Sequence, residues 1–422
     1  MSDEKGSAIV VIGGGISGLT TAIEAAEAGQ RSVIVERNPY LGGRVAQLNR
    51  YFPKLCPPYC GLEVNFKRIK QNPKISVYTS AEIESVQGSE GNFKVKIKIN
   101  PRYVNTKCTA CGDCVKVCPI ERSNSFNFGI DKTKAIYLPH ELSYPMRFVI
   151  DASPGVCPGK SCSKCVSVCK YNAIDLDMKA ETVEINASSV VYATGWSPYD
   201  AAKMDNLGFG KVKNVVTNMM MERMAAPNGP TKGKILRPSD NKQVKTVAFV
   251  QCAGSRDENH LAHCSSVCCM ASLKQATYVR ESDPDTKAFI YYIDLRAPGR
   301  YEDFLKKIQA DASVVMIKGK VAKIEEDAET LDPIVTVEDI AGGKKITQKV
   351  DMVVLATGME PSLKTANVST NVKLDENGFV DADAQAAGIY ASGVAKRPND
   401  VTTSLQDATS AALKGIQSAV RR

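Results

Sequence analysis

The stretch "CTACGDCVKVCP", residues 108–119, sets four thiols at intervals of three, three and four and ends on a proline. A second run, "CPGKSCSKCVSVC", residues 157–169, repeats the pattern with its first interval widened from three to five. Thiolates at this spacing hold iron, and in the bacterial two-cluster arrangement the fourth cysteine of each run ligates the other cluster. On that crossed pattern Cys108, Cys111, Cys114 and Cys169 hold one 4Fe-4S cluster. Cys118, Cys157, Cys162 and Cys165 hold a second, with Cys157 the least secure ligand because of the widened interval. The alternative, a zinc ribbon with paired knuckles, needs only four cysteines.

Six further cysteines lie outside these runs. In "QCAGSRDENHLAHCSSVCCMASLKQA" Cys252 ends a strand, and a helix read from Cys264 onward puts Cys264 and Cys268 on one face at i and i+4. Three sulfurs can then converge, while Cys269 points about 100° away from Cys268. Small buried core thiols are the other reading. Cys56 and Cys60, in "FPKLCPPYCGLE", are open between a redox dithiol, a site near a bound cofactor and a structural pair. The histidines His140, His260 and His263 have no acid or nucleophile partner in sequence and read as solvated or structural, with His263 a candidate neighbour of a site at Cys264.

The elements that must position these thiols begin with "AIVVIGGGISGLTTAIEAAEAGQRSVIVERNPYLGGR". A strand from Ile9 to Ile12 turns through Gly13-x-Gly15-x-x-Gly18 into an Ala-rich helix over Leu19–Ala28, and a second strand from Ser32 to Val35 ends at Glu36. Gly13 makes the tight turn, Gly15 admits a pyrophosphate at the helix N-terminus, and Gly18 lets helix and strand pack closely. Glu36 is placed to accept hydrogen bonds from an adenosine ribose. Gly14, Ser17 and Arg37 complete the candidate dinucleotide contacts. The continuation through Gly42, Gly43 and Arg44 resembles the two-dinucleotide-binding flavoprotein superfamily, in which this segment lies along the FAD diphosphate.

An internal repeat locates the cysteine runs. "SSVVYATGWSP" carries Thr194 and Gly195, and "MVVLATGMEP" closes a second copy at Gly358. The first copy spans 121 residues, Ile75 to Gly195, and the second spans 46, Ser313 to Gly358, a difference of 75. The extra residues fall at about 101–179 and hold eight of the fourteen cysteines. A cluster-binding module is therefore expected inside the β-meander of a flavoprotein.

The expected fold is α/β, a two-dinucleotide-binding-domain flavoprotein (Rossmann-like, glutathione/thioredoxin reductase-like) with an inserted α+β bacterial-ferredoxin-like domain. The expected division is FAD-binding domain 1–100, insert 101–179, FAD-binding domain 180–235, a degenerate second nucleotide-binding-like domain 236–345, and FAD-binding domain 346–422. The second domain opens on "KTVAFVQCAGSRDE", whose turn has Cys252 and Ala253 where a pyridine-nucleotide enzyme carries glycines, so direct NAD(P)H binding is not expected there. Near the C-terminus "GIYASGVAKRPNDVTTSLQDATSAALKG" resembles the superfamily's closing motif, with Gly393 followed by Val394 in place of an acid that touches the flavin. A helix starting near Thr402 and Thr403 would aim its N-terminus at the isoalloxazine.

Composition narrows the function classes. Fourteen cysteines in local groups, within a 422-residue chain that shows no leader, favour ligation in a reducing compartment over a disulfide framework. No apolar run is long enough to span a bilayer, so direct membrane insertion is not expected and a cytoplasmic location is. The net charge of +8 forms no Lys/Arg block, and 6% aromatics with one Trp give no stacking platform for nucleic acid.

The glycine turn, "RYVNTKCTACGDCVKVCP" and the segment around Cys252 to Cys269 together resemble the heterodisulfide reductase A-subunit family across nearly the whole chain. Within that family the chain is short, with no long extension expected at either end. The resemblance implies FAD, the two 4Fe-4S clusters of the insert, and a third 4Fe-4S cluster at Cys252, Cys264, Cys268 and Cys269, the last its weakest member. It also implies partners, namely a membrane haem/quinone subunit and a second related iron-sulfur flavoprotein. Electrons would pass between the quinone pool and adenylylsulfate reductase in sulfate respiration, with the protein peripheral to the inner membrane and the flavin splitting or merging electron pairs as an extension. The alternative is a self-contained NAD(P)H-dependent flavin disulfide reductase using Cys56 and Cys60.

Overall fold

The computed structural model describes residues 7–340, 342–365 and 372–421. The chain forms two compact units, one of residues 1–196, 361–397 and 401–422, the other of residues 197–360 and 398–400.

In the first unit the apolar runs become parallel strands because they are buried on both sides. Ala8–Ile12 and Ser32–Glu36 are buried at every position, as parallel strands covered on both faces must be. The sheet order is Ile75–Thr79, Ser32–Glu36, Ala8–Ile12, Glu181–Tyr192, Asn92–Ile99, Ala81–Ser89, with Ile389–Ala391 also paired to Glu181–Tyr192. The helix Ile16–Glu27 buries Leu19, Ala22, Ile23 and Ala26. It packs beside the closing helix Val401–Val420.

The strand Glu181–Tyr192 has two roles. Its first half runs antiparallel to Asn92–Ile99 and its second half parallel to Ala8–Ile12. Glu181 stands opposite Ile99 in the ladder, so the segment between these strands leaves and re-enters the sheet at one point. That segment contains two small antiparallel ladders, Glu121–Ser123 with Lys132–Lys134 and Ile136–Tyr137 with Val149–Ile150. It also carries the short helices Asp113–Val117 and Lys164–Ser167. Its own small core gathers Val104, Cys114, Ile136, Phe148, Ile150 and Ala173, and five more cysteines pack against them. So little apolar area rarely holds a small module together without a metal or other staple.

In the second unit the order is Val215–Thr217, Met352–Thr357, Thr246–Ala253, Lys287–Tyr292, Val314–Glu326, Pro333–Asp339, Lys344–Lys349. The first five strands are parallel and the last two form an antiparallel meander. The expected boundaries 236–345 are corrected here, since residues 197–235 and 346–360 belong to this unit. Val215–Thr217 pairs with Met352–Thr357, a tertiary pairing that no local pattern announces. Among the described residues no helix is long and apolar enough to cross a membrane.

Candidate functional site

The opening turn is assembled by close backbone approaches. Gly13 N–H donates to the Val35 carbonyl at 2.8 Å, and Gly42 N–H donates to the Gly14 carbonyl at 2.8 Å. A Cβ at Gly18 would lie 1.9 Å from the Gly13 carbonyl oxygen, and one at Gly43 would lie 2.8 Å from the Gly15 Cα. Any larger residue at these two positions pushes backbone apart. Around Gly15 and Gly195 the situation is reversed: a Cβ at Gly15 meets only the Gly43 Cα at 3.9 Å, and one at Gly195 meets nothing within 4 Å. The turn is thus tight within the protein and open on the side of the helix N-terminus.

Glu36 is buried behind this cradle. Its carboxylate accepts hydrogen bonds from Gly14 N–H at 2.6 Å and from the Asn38 backbone N–H and side-chain amide at 2.7 Å each. Burial pushes its carboxyl up, and the hydrogen bonds from Asn38 and Gly14 pull it back. Four lone-pair sites on a carboxylate leave room for a ribose hydroxyl beside these three donors. Arg37 next to it is exposed.

Several buried polar atoms around the cradle lack a partner among the described residues, notably the hydroxyls of Thr194, Ser392 and Thr402. Buried polar groups are nearly always paired, and these are groups that a bound dinucleotide satisfies. Gly393 abuts Ser17, whose hydroxyl a Cβ there would meet at 2.2 Å. Where the superfamily's acid is replaced by Val394, the Gly393 N–H donates to the Asp407 carboxylate at 2.8 Å, and Asp407 pairs with Lys396 at 2.5 Å. The helix begins at Val401, so its first turn includes Thr402 and Thr403. Asp407 and Lys396 were not singled out in sequence; the trace they leave there is an acid nearly two turns inside the closing helix. Donor set and cradle fit FAD.

Arg44 links the cradle to the insert. Its Nε donates to the Trp196 carbonyl at 3.1 Å, its guanidinium carbon lies 5.9 Å from both the Phe128 and Trp196 ring centres, and burial lowers its affinity for a proton. Gln47 donates to the Phe126 carbonyl at 3.0 Å, and Phe126 is part of the first unit's core. Arg102, buried where the insert begins, donates to the carbonyls of Phe148, Pro39 and Arg147 at 2.9, 2.5 and 2.6 Å. Desolvation brings its pKa down to about 10. His140 stacks on Phe126 at 4.8 Å. The insert therefore grips the same segment, residues 39–47, that borders the cradle.

The thiols of the insert gather as follows. Cys118, Cys157, Cys162 and Cys165 line one cavity with Ile136, Ile150 and Leu176. Burial, then the neighbouring Cys157 and, more weakly, Cys118, push the Cys165 thiol up. The two extra residues of the widened interval are absorbed by a short 3-10 turn, Gly159–Ser161, and Gly159 N–H points at the Cys157 sulfur at 3.5 Å. Cys114 is pushed up to about 12 by burial and by Cys108 and Cys111, which sets those three thiols together. Cys169 packs in the same core and accepts from Ala173 N–H at 3.4 Å. Cys111 is exposed.

In the second unit Cys252, Cys264, Cys268 and Cys269 line one cavity with Ser255, Ser265, Asp294 and Arg296. The expected route to this gathering is corrected: the helix starts at Cys268, not Cys264. Ser266 has φ 60°, which an α-helix cannot propagate, and the Ser265 hydroxyl is bound by Ser255 and by Met359 N–H, each at 2.8 Å. Cys264 thus arrives from a loop. Cys269, expected to point away, lines the cavity because the helix presents its first turn end-on. Cys252 has φ 56° at an irregularity of its strand, the kind of cost retained where a side chain must be aimed. Burial, then Cys252, Cys269 and Cys264, push Cys268 strongly upward. Buried thiols that repel one another's charge are relieved by a bound cation, so both donor sets fit iron-sulfur clusters.

Among the described residues no three His, Cys, Asp or Glu side chains meet the geometry for a single metal ion; a cubane spreads its ligands over separate irons. Tyr199 O–H and His260 Nδ1 share a hydrogen bond at 2.9 Å, and His263 Nε2 bonds the Met359 carbonyl at 2.9 Å. His263 Nε2 is thus engaged by backbone. Cys56 bridges Tyr51 before the helix Pro58–Gln71, and Cys60 is exposed in that helix's first turn.

Fold and cradle define a flavoprotein of the FAD-dependent oxidoreductase class. Residues 8–54 match the FAD dependent oxidoreductase family. The fold is that of thioredoxin reductase from Lactococcus lactis, with TM-score 0.54 and 13% identity over 99% of this chain and 100% of that one. Bacillithiol disulfide reductase from Bacillus cereus is similar at TM-score 0.54 and 14% identity, again over 99% and 100%.

Sequence relatives are more particular. The chain is 37% identical over 418 residues to the A subunit of the H(2):CoB-CoM heterodisulfide,ferredoxin reductase of Methanothermobacter thermautotrophicus, covering 96% of this chain and 63% of that protein. It is 38% identical over 418 residues, with the same two coverages, to an iron-sulfur A subunit of the CoB--CoM heterodisulfide reductase of Methanopyrus kandleri. The chain is therefore a homologue of the heterodisulfide reductase A subunits along nearly its whole length, and it spans 63% of the length of these relatives.

Proposed function

We propose that this chain is the FAD and iron-sulfur electron-transfer subunit of a heterodisulfide-reductase-like complex. The observation that carries the reading is the pair of four-cysteine cavities, one joining Cys118 to Cys157, Cys162 and Cys165, the other joining Cys252 to Cys264, Cys268 and Cys269. FAD supplies exchange of two electrons or one, and each 4Fe-4S cluster exchanges one. The chain's own residues bind and space these groups: Gly15 and the helix N-terminus take the diphosphate, Glu36 the ribose, and Thr194, Gly195, Gly393 and Thr402 the flavin side. Cys108, Cys111, Cys114 and Cys169 hold the remaining cluster of the insert. Residues 39–47, bonded to the insert from Arg102 to the Pro39 carbonyl and from Gln47 to the Phe126 carbonyl, keep the insert's position on the cradle fixed.

The reading extends to a particular complex, the quinone-interacting membrane-bound oxidoreductase of sulfate-reducing bacteria. Support for it is the resemblance carried by the two cysteine-rich segments, residues 102–119 and 251–276. Its partners would be a second related iron-sulfur flavoprotein, a membrane haem subunit that meets the quinone pool, and adenylylsulfate reductase, with contact to the inner membrane made through those partners on its cytoplasmic side. Electron-pair splitting by the flavin belongs to this extension, and it requires the two one-electron steps of the flavin to be inverted in potential. Spectroelectrochemistry that resolves two widely separated, normally ordered steps would remove it.

The decisive experiment is iron and acid-labile sulfide per FAD on anaerobically purified protein, with EPR after dithionite. About twelve irons are expected, four for each of three cubanes. Cys118→Ala should abolish the signal of the cluster formed mainly by the second run, and Cys264→Ala or Cys268→Ala that of the second unit. About eight irons and no effect of Cys264→Ala would make the cavity of the second unit a thiol core. Zinc in place of iron would overturn the reading.

A self-contained NAD(P)H-dependent disulfide reductase, using Cys56 and Cys60, is favoured only by the exposure of Cys60 in a helix's first turn. The turn where the pyridine nucleotide would sit is taken by the cysteine cavity at Cys252. Fast bleaching of the flavin by NADH or NADPH in the isolated chain would revive this reading.

A further inference from the structure

The cavity of the second unit gives each of its four sulfurs a hydrogen-bond donor. Ser266 N–H donates to the Cys264 sulfur at 3.3 Å. The Ser265 hydroxyl serves Cys268, the Arg296 backbone N–H serves Cys269, and the Arg256 guanidinium serves Cys252. Of these four donors only Arg256 carries a charge. In the insert the sulfurs of Cys157 and Cys169 accept from the backbone N–H groups of Gly159 and Ala173 at 3.5 and 3.4 Å, and a carboxylate, Asp113, lies 3.8 Å from the Cys111 sulfur.

The fold aims Arg256 at this place. Its backbone has φ 57°, a conformation that a long side chain adopts only where its surroundings impose it. Its N–H donates to the His263 carbonyl and the neighbouring Ser255 N–H to the Cys252 carbonyl, each at 3.2 Å, so the turn folds back over the strand end. The guanidinium meets the Asp294 carboxylate at 2.8 Å, with the arginine side chain 26% exposed. Asp294 follows Lys287–Tyr292, the parallel neighbour of the strand that ends at Cys252. Arg256 and Asp294 both line the cavity with the four thiols. A guanidinium presents its N–H groups in a fixed fork, so one can hold Asp294 while another holds the sulfur. The competing reading is a surface ion pair, which contributes little and leaves the chemistry of the cavity unchanged.

We propose that Arg256 is a positioning residue that, through the Cys252 sulfur, raises the reduction potential of a cluster held in the second unit. The inference rests on the reading of that cavity as a cluster site. Reduction adds one electron, and so one negative charge, with no bond made or broken. A donor and a positive charge at a ligand sulfur therefore stabilise the reduced form more than the oxidised one, and net charge and hydrogen bonds to the sulfurs are what set such a potential. Asp294 offsets part of the charge, so the effect expected is that of one charge-assisted hydrogen bond, about tenfold in the reduction equilibrium.

The test is an EPR-monitored potentiometric titration of the anaerobically purified holoprotein, with dithionite as reductant and the two signals of the insert as internal references. Arg256→Gln should keep its iron and lower the third signal's reduction equilibrium by about tenfold, about 59 mV for one electron. Arg256→Lys, which keeps the charge but lacks the fork, should lower it less, by about twofold or more. Lys320→Gln removes the same charge from an exposed residue, paired at 3.1 Å with Asp257 next to Arg256, and should stay within about twofold of wild type. If Arg256→Gln loses iron, Arg256→Lys is read in its place. A third signal at the wild-type potential in the variant read would overturn the proposal, as would an equal fall in Lys320→Gln. Loss of iron from both arginine variants would make Arg256 a structural brace and overturn it too. A wild type with only the insert's two signals would overturn it together with the cluster reading of that cavity.

Discussion

Gly15→Ala separates the cradle's two duties, folding and binding. Gly15 has φ −77° and ψ −177°, which alanine adopts without strain, and its added Cβ meets only the Gly43 Cα at 3.9 Å. The apoprotein should therefore be unchanged or more stable by about 0.4–1 kcal/mol, because the unfolded chain loses freedom. The methyl nonetheless occupies the space at the helix N-terminus through which a pyrophosphate approaches. Inserting a methyl into a packed contact costs about 1–3 kcal/mol, which is about a 5- to 150-fold rise in the Kd for FAD.

Gly18→Ala is the contrasting variant. Its Cβ would stand 1.9 Å from the Gly13 carbonyl oxygen and 3.0 Å from the carbonyl carbon. Both are backbone, so helix and turn must separate, and the loss should be about 3 kcal/mol or more in the apoprotein itself. Fluorescence titration of apoprotein with FAD, together with thermal unfolding of the same apoprotein, reads both quantities. Gly15→Ala binding FAD within twofold of wild type would refute the placement of the diphosphate. So would a Gly15→Ala apoprotein as unstable as Gly18→Ala.

Other consequences can be measured alongside. Arg102→Ala leaves the carbonyls of Phe148, Pro39 and Arg147 without their donor; protection from hydrogen exchange should fall by about 2–5 kcal/mol across 101–179, with FAD retained and Arg102→Lys giving only partial rescue. Asp407→Asn weakens the hold on Gly393 N–H and the pair with Lys396, and should raise the Kd for FAD by about tenfold at a cost of about 1–2 kcal/mol in stability. Lys274→Ala removes the cation 3.1 Å from the buried Glu222 carboxylate and leaves it the hydrogen bonds of Gln275 and Tyr278; urea unfolding of the second unit should show a loss of about 3–5 kcal/mol. Glu36 has a pH consequence. Its carboxyl is raised by burial above the ordinary 4.5, so the folded apoprotein holds the proton more tightly than the unfolded chain. The stability this gives is full below about pH 4.5 and is lost as pH rises through the raised value. Glu36→Gln should remove that slope in urea midpoints measured from pH 4.5 to 7.

What sequence made legible is what sterics or covalent spacing dictates. The opening turn could be read because only glycine fits at Gly18 against the Gly13 carbonyl, and the insert because two copies of one meander differ in length. The helix start could not be read. From Cys264 onward the residues are tolerable helix formers, and the break at Ser266 comes from Ser265 being tied to Ser255 and to Met359 N–H, partners 10 and 94 residues away. The boundary of the second unit was hidden for the same reason, since Val215–Thr217 finds its partner at Met352–Thr357. Arg102 and Asp407 bond backbone groups that carry no sequence identity, so no motif could name them.

The second unit shows what replaced the missing glycine fingerprint. A pyridine nucleotide would need an open turn between the strand Thr246–Ala253 and the helix Cys268–Ser282. Here fourteen residues intervene. They are cross-tied by Ser255, Ser265 and the His263 bond to the Met359 carbonyl, and four thiols close over the helix N-terminus. The same end of the helix that stabilises a phosphate favours thiolates and would favour an anionic cluster. The thiols and the ties of Ser265 together occupy the space a dinucleotide would need in this βα turn. Cys252→Gly would test this within the second unit: it should abolish that unit's iron without creating NADH binding, because the Ser265 ties still fill the turn. Tight NADH binding by the variant would show that the cysteines alone exclude the nucleotide.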